Sequence, residues 1–360
     1  PAPTFLEQKR AEWMAARLKE LGWETQVDRA GNVVAQAPGA AKSGPVVALT
    51  AHLDTVLAPR PECQILAEKD RFVGPGVADN GAGLAGLLAL ARVLGQGGHG
   101  LDVSRLALVA NVGEEGEGNL SGMRHLCQSS PLSGRLQAVV VLDGPDAVHV
   151  TAEALACRRF EVTVSGPGGH SWSDHGAANP IHALARAVTW FGDARAEEGP
   201  RPRPRSWNFG VIEGGSTVNA IPTSARVKVD LRAESAPDLE DLVASLAETI
   251  ERALMVENER ARAGRVAARM RETGSRPGGR LAEPASILDY VRAVDAELGI
   301  RTLLDCASTD ANIPLSMGLP AISIGAGGQG GGAHTPGEWY SPAGRDLGLR
   351  RILLLVALLL

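Results

Sequence analysis

Apolar runs that stop abruptly at histidine or carboxylate residues set the strongest constraint on this chain. Val46-Val-Ala-Leu-Thr-Ala leads into His52-Leu-Asp54, Leu106-Ala-Leu-Val-Ala-Asn-Val112 into Gly113-Glu114-Glu115-Gly116, and Ala138-Val-Val-Val-Leu142 into Asp143-Gly-Pro. Short continuous apolar runs of this kind read as strands. After Gly76-Val-Ala-Asp79-Asn80-Gly81, the residues Leu84, Leu87, Leu88 and Ala91 recur at helical spacing. Strands alternating with helices predict an α/β layer with a mixed, largely parallel sheet, and open sheets of that kind carry their sites at the carboxyl ends of the strands.

Taken alone, His-x-Asp after a strand is more often a solvated strand end than a ligand pair. The ordered set is more informative. Gly331-Gly332-Ala333-His334-Thr335-Pro336 places a second imidazole in a glycine-rich loop, so that four strand or loop ends offer two histidines and several carboxylates. Zinc accepts imidazole nitrogen and carboxylate oxygen, and two ions sharing one carboxylate require about this inventory.

These motifs, together with Gly168-Gly-His170-Ser171 and Ser308-Thr-Asp310-Ala-Asn312, resemble those of the zinc exopeptidase and amidohydrolase family that includes peptidase T, carboxypeptidase G, aminoacylase, acetylornithine deacetylase and succinyl-diaminopimelate desuccinylase. The resemblance runs from residue 46 to residue 338. It implies that His52 and Asp143 bind one zinc, that Glu115 and His334 bind the other, and that Asp79 bridges them. It further implies that Asp54 orients His52, that Glu114 is the general base, and that the Asp79–Asn80 peptide is cis. Adjacent glutamates at the mouth of a strand point different ways, so one can ligate while the other takes a proton from water lying between the ions. The Ser308-Thr-Asp-Ala-Asn312 segment lacks the paired glycines common in relatives. That departure leaves the implied ligands intact and leaves open which end of a substrate is read.

At 360 residues the chain exceeds the length at which one core usually suffices. After Asp143 the pattern changes to strand, helix, strand, strand, helix, strand. Cys157–Ser165 alternates, Ile181, Leu184, Ala185 and Val188 form a helical face, Trp207–Ile212 and Ala225–Leu231 read as strands, and Leu239, Leu242, Val243, Leu246 and Ile250 line a long helix before a strand near Val266–Arg271. This unit resembles the family's ferredoxin-like lid and dimerisation domain. The expected division is a zinc-binding catalytic domain over 1–156 and 276–360, interrupted by a lid over 157–275 in which the Arg- and Glu-rich stretch 251–271 is a solvated helix face. By resemblance, His170 reaches a partner's active site in a homodimer and stabilises the oxyanion. Asn219, in Gly214-Gly-Ser-Thr-Val-Asn-Ala-Ile-Pro, and Arg232 resemble substrate-contacting residues, although an arginine at a strand end is commonly structural. His99, His125, His149, His175 and His182 have no motif around them and read as surface or capping residues. Gly337-Glu-Trp-Tyr-Ser is similar to a segment on the peptidase T side of the family.

Composition excludes other classes. With 44% apolar residues, 21% charged residues and a net charge of −5, the chain has no basic surplus for nucleic acid. Arg201-Pro-Arg-Pro-Arg205 reads as a solvated loop. The four cysteines, Cys63, Cys127, Cys157 and Cys306, form no Cys-x-x-Cys, which suits reduced thiols in the cytoplasm. The terminal Ile352–Leu360 run is too short to span a bilayer and reads as a buried helix. No signal peptide is visible at the start, and the resemblance implies a further helix ahead of Pro1. The expected function is hydrolysis of amide bonds in short peptides by an exopeptidase, with two zinc ions, or cobalt or manganese on the same ligands. The alternatives are a deacylase of N-acyl or N-carbamoyl amino acids, and a catalytically silent binding homologue.

Overall fold

A computed structural model describes residues 2–57, 64–97, 100–199 and 203–360. Cys63, His99 and the start of the Arg-Pro run lie outside the described residues. The chain divides into two compact units, Pro1–Ala154 with Gly279–Leu360, and Leu155–Gly278.

In the first unit the runs that end in polar residues form the centre of a nine-stranded sheet. Val46–His52 lies parallel to Leu106–Asn111 on one side and to Leu136–Leu142 on the other, and Ala321–Ile324 adds a further parallel neighbour to Leu136–Leu142. Every residue of Val46–His52 is buried, as expected of a strand covered on both faces. Leu49 and Ala51 face a core shared with Met14 and Leu18 of the first helix, Leu87 and Leu90 of the helix Gly81–Gly95, and Ile352, Leu355 and Val356. Val46 and Ala48 face the opposite core, built with Met123, Leu126, Ile313 and Leu315. The outer strands Glu24–Val27, Val33–Gln36 and His149–Ala154 enter antiparallel pairs, so the sheet is parallel at its centre and mixed overall.

The apolar C-terminal run lies in the helix Arg345–Leu359 and packs into the first core. No helix among the described residues is long and apolar enough to cross a membrane.

The second unit is a four-stranded antiparallel sheet in the order Arg205–Gly214, Ser224–Ala233, Ala156–Ser165, Ala267–Arg276. Helices Pro180–Ala196 and Ala236–Arg260 pack on it through Leu184, Phe191, Leu242, Leu246 and Ile250. Asn179 caps the first helix ahead of Pro180 and Ser235 caps the second, so both starts are written in the sequence. Phe191 anchors the core with edge-on contacts to Trp207 and Phe209. The element order is the expected ferredoxin-like one, but the stretch 251–271 is not a single helix face. The helix stops at Arg260, Gly264 turns the chain at φ 66°, and Asn258 bonds both main-chain groups of Val266 to start the last strand.

A buried charged pair joins the last helix of the first unit to the helix Ser286–Leu298. Arg351 forks onto Asp295 with N···O distances of 2.7 and 2.6 Å, and its third contact is the carbonyl of His149 at 3.2 Å. Asp295 also accepts the Thr302 hydroxyl at 2.5 Å. Removing one partner of a buried pair leaves the other charge uncompensated, at about 3–5 kcal/mol, whereas removing both can be nearly neutral. Asp295→Ala is therefore expected to lower the urea unfolding free energy by about that amount, and adding Arg351→Met to restore most of it. Equal destabilisation by the single and double variants would contradict this account.

Candidate metal centre

The carboxyl edge of the central sheet gathers His52, Asp54, Asp79, Glu114, Glu115, Asp143 and His334. His52 ends its strand opposite Asn111, the last residue of the neighbouring strand, so the turns that follow the two strands start side by side. Asp54 joins those turns. One carboxylate oxygen accepts the Glu114 N–H at 3.0 Å, the other accepts the Glu115 N–H at 2.8 Å, and the Thr4 hydroxyl adds a bond of 2.9 Å. The His52 Nδ1 lies 3.1 Å from the Asp54 carbonyl and 3.5 Å from its carboxylate. With Nδ1 engaged there, Nε2 is left facing the site.

Asp79 precedes the helix Gly81–Gly95 across a cis Asp79–Asn80 peptide, as the resemblance implies. Asn80 caps that helix through Gly83 N–H at 3.0 Å and also donates to Leu142 O at 2.8 Å, tying the Asp79 loop to the strand that ends before Asp143. Glycine is required at 83, because a Cβ there would stand 2.6 Å from Leu142 O.

The two oxygens of Asp79 face different imidazoles. Oδ1 is 3.0 Å from His52 Nε2, and Oδ2 is 3.1 Å from His334 Nε2. Asp143 Oδ1 stands 3.8 Å from His52 Nε2, and Glu115 Oε1 stands 3.2 Å from His334 Nε2. Potential ligand atoms therefore fall into the groups His52, Asp79, Asp143 and Asp79, Glu115, His334, with His52, Glu114, Glu115 as a third. Ligand atoms around a tetrahedral zinc with bonds of 2.0–2.2 Å stand about 3.3–3.6 Å apart. The observed separations bracket that value, and the donor set is the nitrogen and oxygen mixture that zinc accepts. The residues fit a divalent metal.

Electrostatics agree with this. Burial disfavours a charged His52 ring, yet Asp143, Asp54 and Asp79 outweigh it and hold the pKa well above that of an ordinary histidine. Hydrogen bonds to Asp79 and Glu115 push His334 up to about 10. Burial works against the Asp79 carboxylate, but the two imidazoles bring it far below the usual range. The cluster is a concentrated negative site that draws positive charge into its centre.

In the second unit, Gly169–His170 pairs with Ala220–Ile221, and Ser171 N–H donates to Asn219 O at 3.0 Å, so His170 and Asn219 lie on adjoining segments. His170 Nδ1 accepts the N–H groups of Trp172 and Ser173 at 3.2 and 3.3 Å. In the neutral ring the proton then sits on Nε2. The structure does not bring Arg232 to these two. It lies near the far end of the strand Ser224–Ala233, about 25 Å along from Ser224 at strand rise, and its Nε is bonded to Asp230 at 2.6 Å.

Sequence reasoning singled out the segment containing Asp310 without giving the residue a role. Asp310 is fully buried and accepts the Asn111 amide at 2.6 Å, directly behind the His52 strand end. Burial pushes its carboxyl up to about 7. Glu338, buried against the Asp79 loop, likewise lies in a segment that the sequence singled out, Gly337-Glu-Trp-Tyr-Ser, without a role for the residue itself.

Comparison with known proteins bears out the family resemblance. Residues 157–257 match the family described as Peptidase dimerisation domain, and residues 32–165 match Peptidase family M28. A probable carboxypeptidase of Aspergillus clavatus is 30% identical over 236 residues, 59% of this chain and 50% of that protein. The succinyl-diaminopimelate desuccinylase of Bordetella avium is 23% identical over 265 residues, 70% of each. The chain spans about half the length of the curated carboxypeptidases it matches. In fold it is similar to a tripeptidase from Staphylococcus aureus, with a TM-score of 0.77 at 18% identity over 99% of this chain and 94% of that one.

Asp310 supplies a test of the site's electrostatics. Its folded pKa of about 7 lies above the ~3.9 of an unfolded aspartate. Between those values the native state keeps a proton that the unfolded chain has lost, so this residue's contribution to stability falls as pH rises from 4 to 7. Asp310→Asn removes the effect. Urea unfolding of the metal-free proteins is expected to show the variant gaining on the wild type between pH 4.5 and 7.5. A constant difference would mean that Asp310 is ionised throughout.

Proposed function

We propose that this chain, which belongs with the metallopeptidases and amidohydrolases that its motifs resemble, hydrolyses amide bonds of short peptides at a site holding two zinc ions. The observation that carries this reading is the division of Asp79, one oxygen toward His52 and the other toward His334. His52, Asp79 and Asp143 would hold one ion, and Asp79, Glu115 and His334 the other. Bound there, divalent ions supply Lewis acidity that polarises a scissile carbonyl and acidifies the attacking water. Glu114 takes the proton from that water and returns it to the leaving nitrogen. Its main-chain bond to Asp54 holds the residue at the site, and its side chain belongs to a buried group with His52 and Glu115. Asp54 positions both His52 and the glutamate turn.

In this reading the second unit forms a homodimer, and His170 donates from Nε2 to the oxygen that gains negative charge. Asn219, on the adjoining segment, contacts substrate. Arg232 is assigned to the ion pair with Asp230 rather than to substrate. A cytoplasmic location belongs to the same reading, supported by Cys127 and Cys157, buried thiols outside any disulfide. A second reading, deacylation of an N-acylated amino acid, is favoured by the match to a desuccinylase. A silent binding homologue is disfavoured because the ligand groups and Glu114 converge with separations suited to a metal.

Zinc-reconstituted protein is expected to release amine from di- and tripeptides and to lose that activity with chelator. Preference for N-acetyl or N-carbamoyl amino acids would select the second reading, and silence on all of them the binding homologue. Glu114→Gln is expected to lower kcat by about 10²–10⁴-fold with metal content unchanged. An unaffected rate would refute the base assignment.

A further inference from the structure

The His334 loop and the Asp79 loop are joined by one buried side chain. Glu338 is 2% exposed. One carboxylate oxygen accepts the N–H groups of Ala78 and Asp79, each at 2.7 Å, and the other accepts Gly76 N–H at 2.7 Å. Its main-chain carbonyl accepts a fourth, Gly74 N–H, also at 2.7 Å. Bonds from main-chain N–H groups to a carboxylate are charge-assisted and short, and together they fix the curvature of the chain they grip.

The same residue ends the turn that carries His334. Thr335 N–H returns to Gly332 O at 3.2 Å, and Glu338 N–H returns to Thr335 O at 3.2 Å. Trp339–Ser341 then pairs with Phe72–Val73, zipping the two segments together. His334 sits at the tip of this clasp with φ 66°, a conformation that a non-glycine residue keeps only where its surroundings hold it. Asp79 sits at the other tip, and the two meet at 3.1 Å.

We propose that Glu338 is a positioning residue that sets the spacing between Asp79 and His334, and so the affinity of the metal group to which both belong. The inference rests on the metal-hydrolase reading above. Glu338 touches neither substrate nor the proposed ions; it acts through the main chain of Asp79. Partners that orient ligands in this way typically change metal affinity by about 10–100-fold when removed.

The test is zinc affinity, measured by competition with a chromophoric chelator at a temperature where each metal-free protein is folded by circular dichroism. Glu338→Gln keeps the volume but directs an amide NH₂ at one set of main-chain N–H donors, and it is expected to weaken zinc binding about 10–100-fold. Glu338→Asp, too short to reach all three donors, serves if the glutamine variant does not fold and is expected to shift affinity in the same direction. Arg351→Lys, which disturbs the buried pair elsewhere in the unit, is the control and is expected to lower Tm with zinc affinity unchanged. A Glu338 variant with reduced Tm and wild-type zinc affinity would overturn the inference, leaving Glu338 a structural staple. Wild-type protein that takes up no zinc would overturn the metal-hydrolase reading itself, and the inference with it.

Discussion

Negative charge crowded at the mouth of a buried sheet is the constraint around which the first unit is organised. Asp54, Asp79, Glu114, Glu115, Asp143, Asp310 and Glu338 lie on or behind one edge, and most of them are buried. Burying a carboxylate is costly unless it is paired or hydrogen-bonded. Two kinds of partner meet that cost. Asp54 and Glu338 direct their oxygens to main-chain N–H groups of other segments, and so act as ties between loops. Asp79 and Glu115 face imidazole nitrogens instead, which leaves their charge directed into the site.

That division explains how a site made of loops keeps its geometry. The loops that carry the site are tied to one another or to the sheet by polar side chains, Asp54 joining the turns after the first two central strands, Asn80 joining the Asp79 loop to the strand before Asp143, and Glu338 joining the His334 loop to the Asp79 loop. The ties rest in turn on parallel strands whose ends are level, as in the pairing of His52 with Asn111. A parallel sheet brings its carboxyl ends to one edge, so loops far apart in sequence become neighbours without further construction.

Legibility from sequence followed the range of the interactions. The central strands were readable because an apolar run buried on both faces has few other interpretations, and the ligand candidates were readable because histidine and carboxylate seldom follow such runs repeatedly. Helix starts at Asn80, Asn179 and Ser235 carry local caps. Glu338 was not legible as a tie, because its partners lie about 260 residues away and main-chain N–H groups carry no sequence signal. Short strands such as Phe72–Val73 and Trp339–Ser341 have too few residues to show a period. At Arg232 the partner was close at hand in the sequence, since Asp230, which accepts its Nε–H at 2.6 Å, stands two residues away.

The fold and the metal site are separable in energetic terms. Two apolar cores cover the sheet on either face, and neither draws on the site residues. Small zinc domains fold only with their ion because they lack such cores; this unit has both. The segments that a metal would stabilise are instead the glycine-rich ones, Gly74–Asp79, gripped by the Glu338 side chain, and Gly332–Glu338, closed by turn bonds beyond the end of a short ladder. Gly76 and Gly332 adopt positive φ within them, and His334 joins them there at the expense of backbone strain. The interior chiefly determines whether the chain folds, and the ties at the edge chiefly determine what it can bind.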